Sequence, residues 1–179
     1  MLPIIAAPAL ITLGVPDYAA HMFIFYYALL SEVSPPTALS CFAAAAITGA
    51  DPYKTTLQAW KYTMPAFVVP FFFVLDPLGT GILLTLPKGA TWAQVSWVIA
   101  LAFLAIAALA VGLQGWLVRR TSKLETGLLI TGGLLLVLPL SRIAFADFTV
   151  PLHADYVGIL LIVIGALLHF ARVRTLAPA

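Results

Sequence analysis

The chain has 179 residues, 63% of them hydrophobic and 9% charged, with a mean hydropathy of +1.07 and a net charge of +2. A water-coated domain carries about 25% charged residues, so most of this surface must face lipid. That argues against a soluble enzyme, and no phosphate loop, HExxH, GxSxG or basic nucleic-acid patch is present. The single cysteine, Cys41, excludes an internal disulfide and a cysteine-cluster metal site.

A helix that spans a bilayer needs about 20 mostly apolar residues. Residues 1–14, "MLPIIAAPALITLG", are apolar but short, lack the basic start of a signal peptide, and read as one arm of a larger element. Residues 16–49 are apolar on both sides of "SEVSPPTALS" and read as one crossing with a break. Residues 52–75 open on the amphipathic "DPYKTTLQAWKY" and run apolar through Pro65 and Pro70. A linker follows over 78–91. Residues 92–118 form the cleanest span, with tryptophans at both ends as interface anchors. Residues 126–145 and 155–171 are two further spans, expected to pack as an antiparallel hairpin through their glycines. The predicted fold is thus an all-α polytopic integral membrane protein of about five crossings.

Basic residues orient it. Alternating the spans puts Lys54, Lys61, Arg119, Arg120, Lys123, Arg172 and Arg174 on one side and only Lys88 and Arg142 on the other. Seven against two makes the richer side cytoplasmic and places the C-terminus there.

The break poses the chemical question. Pro35 and Pro36 lack N–H groups and push their predecessors out of helical dihedrals, which should unwind about a turn. Unpaired backbone at membrane depth is tolerated only inside protein or along a cavity. Opened carbonyls suit a cation, and the start of the second half-helix, with Pro36 as its first residue, suits an anion. Ser31, Ser34, Thr37 and Ser40 add hydroxyls, and Glu32 is the one acid in the region. The other reading is a surface loop whose serines bond back to helix carbonyls. His21 and His169 read as hydrogen-bonded structural histidines, Cys41 as a packing residue, and "FIFYY" and "FVVPFFF" as packing or lipid-facing surface.

The stretch from "GVPDYAAHMFIFYYALLSEVSPPTALS" through "GADPYKTTLQAWKYTMPAFVVPFFFVLDP" resembles the end of the large permease subunit of TRAP transporters, the tripartite ATP-independent periplasmic family, in its fused small-and-large form. The shared features are the Gly-x-Pro turn, "AAHMFIFY", a hydroxyl residue before Pro-Pro, an alanine-rich half-helix and "GADPYKT". The resemblance covers residues 1–77, and 78–179 is similar in hydropathy to the family's variable C-terminal helices. To the five crossings the resemblance adds a partial re-entrant arm over residues 1–14.

The resemblance implies a sodium-coupled, elevator-type importer of organic acids in the bacterial inner membrane. It implies a periplasmic binding protein, of the TAXI class, that delivers the substrate. Na+ would sit near Ser34 and Thr37, on backbone and hydroxyl oxygens, with no other cofactor. The family's first repeat, scaffold and small-subunit region have no counterpart here. The chain is therefore expected to be a piece of a transporter, with the remaining core as its partner, and not competent alone. The alternative is a small non-transporting membrane subunit that stabilises a larger complex.

Overall fold

A computed structural model describes residues 2–138 and 154–175 of the chain. Every regular element among these residues is a helix, with no strand, as an apolar chain in lipid requires. Two helices among them are long and apolar enough to cross a membrane, Trp92–Gln114 and Asp155–Thr175. Most of the join after residue 138, with Pro139 and Arg142, lies outside the described residues. The contacts divide the chain into two compact units, Met1–Val95 and Ser96–Ala179.

In the first unit, α1 (Leu2–Thr12) turns through Gly14 and Pro16 into α2 (Asp17–Leu30). Val15, Ala19, Ala20 and Phe73 form its buried core, with Leu10, Ile11, Phe23, Val74 and Leu83 packed around them. The short side chains of Ala19 and Ala20, both 0% exposed, let neighbouring backbones approach closely. After the break comes α3 (Leu39–Thr48), and then α4 (Pro52–Thr63). The "GADPYK" sequence explains the corner. Gly49 caps α3 in the left-handed region at φ 69°, which favours glycine, and Pro52 opens α4 where no N–H is needed. Asp51 Oδ1 accepts the Lys54 N–H at 3.0 Å, so the new helix start is capped at once.

Residues 52–75 are not one continuous helix. A 3₁₀ segment, Met64–Val68, separates α4 from the short α5 (Val69–Leu75). Pro65 and Pro70 each remove a helical donor, and the tighter turn accommodates the loss. Pro70 has no N–H to offer the Phe67 carbonyl, and Tyr27 Oη donates to that carbonyl across the unit at 2.7 Å. The "FIFYY" and "FVVPFFF" runs meet here. Phe23 and Phe71 pack edge-to-face at 5.7 Å, and Tyr27 lies 6.1 Å from Phe67 and 6.4 Å from Phe71. Tyr27→Phe keeps the ring contacts and orphans the carbonyl, so thermal unfolding of the purified protein should show a loss of about 1 kcal/mol.

The expected linker begins with structure. Pro77–Leu83 is a 3₁₀ segment whose Gly79, Thr80 and Gly81 are buried. Asp76 caps it by accepting the Leu78 N–H at 2.9 Å. A Cβ at Gly79 would collide with the Phe72 carbonyl, and one at Gly81 with the Val95 side chain. The backbone itself is the packing surface here.

The second unit holds most of α6 (Trp92–Gln114), with α7 (Lys123–Val137) and α8 (Ala154–Thr175). α6 ends at Gly115, in the left-handed region at φ 72°. A tight turn follows in which Trp116 and Arg120 pair across an antiparallel bridge. α7 begins with a capping box: Glu125 N–H donates to Ser122 Oγ at 3.3 Å, and Ser122 N–H donates to Glu125 Oε2 at 3.0 Å.

α7 and α8 pack antiparallel, as the sequence predicted, with 132 beside 158 and 129 beside 165. A Cβ at Gly132 would lie 2.9 Å from the Gly158 carbonyl oxygen, and one at Gly158 would lie 3.0 Å from the Gly132 oxygen. A Cβ at Gly133 would instead meet α6, 3.1 Å from the Ala105 oxygen. Gly132→Leu should therefore force the α7–α8 pair apart, costing about 1–3 kcal/mol. Thermal unfolding in detergent measures that loss, and Gly127→Leu, at an open position, is the control.

Candidate functional site

Two half-helices aim at the break from opposite sides. α2 ends at Leu30, and α3 begins only at Leu39, so eight residues, 31–38, lie outside both. That is about two turns, twice the expected unwinding. Pro36 does not open the second half-helix. Ala38 is its cap, at φ 27° and ψ 41°, and two residues separate Pro36 from the first helical position. The Pro35–Pro36 peptide is cis.

Backbone bonding in the break is partial. Ser34 N–H donates to Ser31 O at 3.4 Å and Ala38 N–H to Ser34 O at 3.1 Å. Among the described residues the carbonyls of Val33, Pro35, Pro36 and Thr37 accept no hydrogen bond. These are acceptors that an unbroken helix would have filled from residues 37, 39, 40 and 41.

The hydroxyls are drawn together, but largely onto the chain itself. Thr37 Oγ1 donates to Ser31 O at 2.8 Å, with Ser34 O at 3.3 Å as a second acceptor. Ser40 Oγ donates to Glu32 O at 2.6 Å, across the break. Ser31 Oγ bonds back to Ala28 O at 2.6 Å. Each hydroxyl oxygen still has lone pairs to offer a cation. Ser34 Oγ has no hydrogen-bond partner among the described residues. Ser31 and Ser34 are half-buried, whereas Glu32, Pro35, Pro36, Thr37 and Ser40 are exposed.

The structure thus brings Ser31, Ser34, Thr37 and Ser40 around one irregular turn. The Glu32 carboxylate is exposed and makes no hydrogen bond or ion pair among the described residues. No group of three or more His, Cys, Asp or Glu side chains that could hold a metal occurs among the described residues. What the break offers is neutral oxygen, from backbone carbonyls and hydroxyls. Cys41, 5% exposed, is a packing residue. His21 is exposed and makes no hydrogen bond among the described residues.

One polar cluster lay unread in the sequence. Glu125 and His169, 3% and 1% exposed, pair in the second unit, with His169 Nδ1 3.0 Å from Glu125 Oε2. Arg172 stands 3.6 Å from Glu125 Oε1. Burial works to raise the Glu125 carboxyl, but the bonds from His169 and Ser122 outweigh it and hold the group below its ordinary range. The signal was available. An acid at the start of one span and a histidine at the end of the next fall on the same membrane side in an antiparallel hairpin.

Comparison with known proteins bears on the first unit. Residues 1–78 match the family model of the tripartite ATP-independent periplasmic transporter, DctM component. That is a transporter family and not an enzyme family, and the match covers under half of the chain. No curated protein and no solved structure matches the chain.

Proposed function

We propose that residues 1–77 form part of the sodium-binding half of a TRAP-type permease that imports an organic acid. One observation carries this reading. The segment that matches the family contains a helix broken over residues 31–38, with four carbonyls left without hydrogen bonds among the described residues. In hydrocarbon each would cost several kcal/mol unless something fills it. Sodium bound by these carbonyls, with Ser34 and Thr37 beside them, needs no buried negative charge.

The exposure of Pro35, Pro36 and Thr37 fits the same reading. A break at membrane depth must be covered by protein, so the remaining transporter core supplies the opposite wall. The family implies further TRAP subunits and a periplasmic binding protein, here of the TAXI type, with Glu32 facing a partner group or the aqueous path. Movement of the core as an elevator would carry the break across the membrane, while 92–179 contributes three peripheral helices.

The test is uptake into proteoliposomes holding the assembled permease and its binding protein. An inward sodium gradient should drive accumulation of the organic acid, and potassium in its place should not. Equal uptake under both gradients would sink the sodium reading.

The orientation has its own test. With Cys41 replaced by alanine, single cysteines at Ser122 and Thr175 should react with an impermeant maleimide only from the cytoplasmic side. Periplasmic labelling of either would invert the topology.

A further inference from the structure

In the second unit a cavity of about 320 Å³ opens beside the start of α7, lined by Trp116, Arg119, Arg120, His169, Arg172 and Val173. We propose that it binds the phosphate of an anionic phospholipid, with His169 Nε2, Arg120 and Arg172 as hydrogen-bond donors. The proposal rests on residues outside the family match and is independent of transport.

His169 is the decisive group. Its ring is 1% exposed and lines the cavity, and Nε2 has no hydrogen-bond partner among the described residues. A buried ring nitrogen left unpaired forfeits its hydration with nothing in return, so its position calls for a ligand. The other nitrogen, Nδ1, is held by Glu125 at 3.0 Å. A carboxylate there fixes the ring's orientation, and an arriving oxyanion takes an N–H from Nε2 in the doubly protonated ring, where both nitrogens donate.

The surroundings agree in sign and shape. Arg120 is exposed at the rim, and its pairing with Trp116 across the turn sets both beside the same opening. Arg172 is half-exposed and meets Glu125 only at 3.6 Å, which leaves most of its five donors available. Among the described residues, Arg120 and Arg172 beside the one Glu125 carboxylate leave the cavity positive. Guanidinium is the group that binds phosphate through paired donors.

The walls distinguish a lipid from a soluble phosphate. Trp116, 56% exposed, and Val173 give the cavity an apolar side. Tryptophan at a helix end favours the headgroup level of a bilayer. A free phosphate would gain nothing from that side, whereas a phospholipid lays its glycerol and upper acyl chain along it. The basic residues belong to the cytoplasmic side by the seven-to-two count, where anionic lipids concentrate.

The full chain, with ¹⁵N-labelled histidine rings, is held in maltoside micelles free of phosphate. Phosphatidylglycerol, phosphatidylcholine and inorganic phosphate are titrated separately. The His169 Nε2 resonance is identified by its absence in His169→Gln. Phosphatidylglycerol should shift it, and native mass spectrometry should find that lipid retained. Arg120→Gln, at an exposed position where folding is not at stake, should weaken the response about tenfold, the value of one charge-assisted hydrogen bond. If inorganic phosphate produced the same shift at the same concentration, the lipid assignment would be overturned. If none of the three moved the resonance, the site itself would be.

Discussion

In the assembled permease, Pro35→Ala combined with Pro36→Ala is expected to raise the half-saturating sodium concentration for uptake by tenfold or more, about the loss of two ligand oxygens. Alanine restores an N–H at 35 and at 36, which bond back to the Ser31 and Glu32 carbonyls. The helix then continues. Residues 37, 39 and 40 donate to the carbonyls of Val33, Pro35→Ala and Pro36→Ala, which are open in the native chain. Thr37 Oγ1 loses its acceptor at Ser31 O, 2.8 Å away in the native turn. The cation therefore loses backbone oxygens and the hydroxyl geometry together. Ser34→Ala removes a single hydroxyl, and its effect should stay near fivefold, about 1 kcal/mol. Uptake against sodium concentration in proteoliposomes, with expression checked, gives both numbers. Unchanged sodium dependence in the double variant would make the break a hinge and not a binding element.

The second large effect belongs to Glu125. Glu125→Ala should destabilise the second unit by about 3 kcal/mol or more, the penalty for stranding one member of a buried polar pair. Three losses combine. His169 Nδ1, 1% exposed in its residue, loses its partner; Ser122 N–H loses its acceptor at 3.0 Å; and a buried volume empties. Arg172 suffers little, because it is half-exposed to water. Glu125→Gln keeps an acceptor for both N–H groups and should cost about 1–2 kcal/mol. Thermal unfolding in detergent separates the two variants. The native protein should also be acid-sensitive. The folded state holds the Glu125 carboxyl below its ordinary value, so it favours the carboxylate. The stability this adds is complete at neutral pH and is lost as pH falls below the usual carboxylate range. Glu125→Gln should flatten that dependence. An alanine variant as stable as the native chain would show that the pair contributes nothing to packing.

The break was legible because proline is unambiguous. It lacks a donor, and no context restores one. Its extent was not. Residues 31–38 spread over two turns because Thr37 and Ser40 bond to carbonyls across the gap, and side-chain bonding has no signature in hydropathy. The same blindness merged α4, the 3₁₀ segment and α5 into one span. Pro65 and Pro70 interrupt the backbone there without interrupting the apolar run. The antiparallel α7–α8 hairpin was readable from its glycines, which exist to be packed against. Buried glycines in Pro77–Leu83 were hidden because a short polar-flanked loop looks like a connection. The Glu125–His169 pair was hidden by separation. The two residues are 44 positions apart, and only a register between two helices brings them together.

Gly132 and Gly133 are neighbours in sequence, yet one serves α8 and the other α6. Successive helical residues point about 100° apart, so α7 is a middle helix with a bare backbone groove on two sides. This sets a clock on biogenesis. α6 and α7 emerge from the ribosome before α8 and can close the Gly133 groove at once. The Gly132 groove stays filled by acyl chains, and Glu125 stays without His169, until some forty further residues have been made. During that interval Glu125 keeps its capping bond to Ser122 and has no buried histidine to meet. The arrival of α8 therefore completes both the packing and the pairing of α7 in one step.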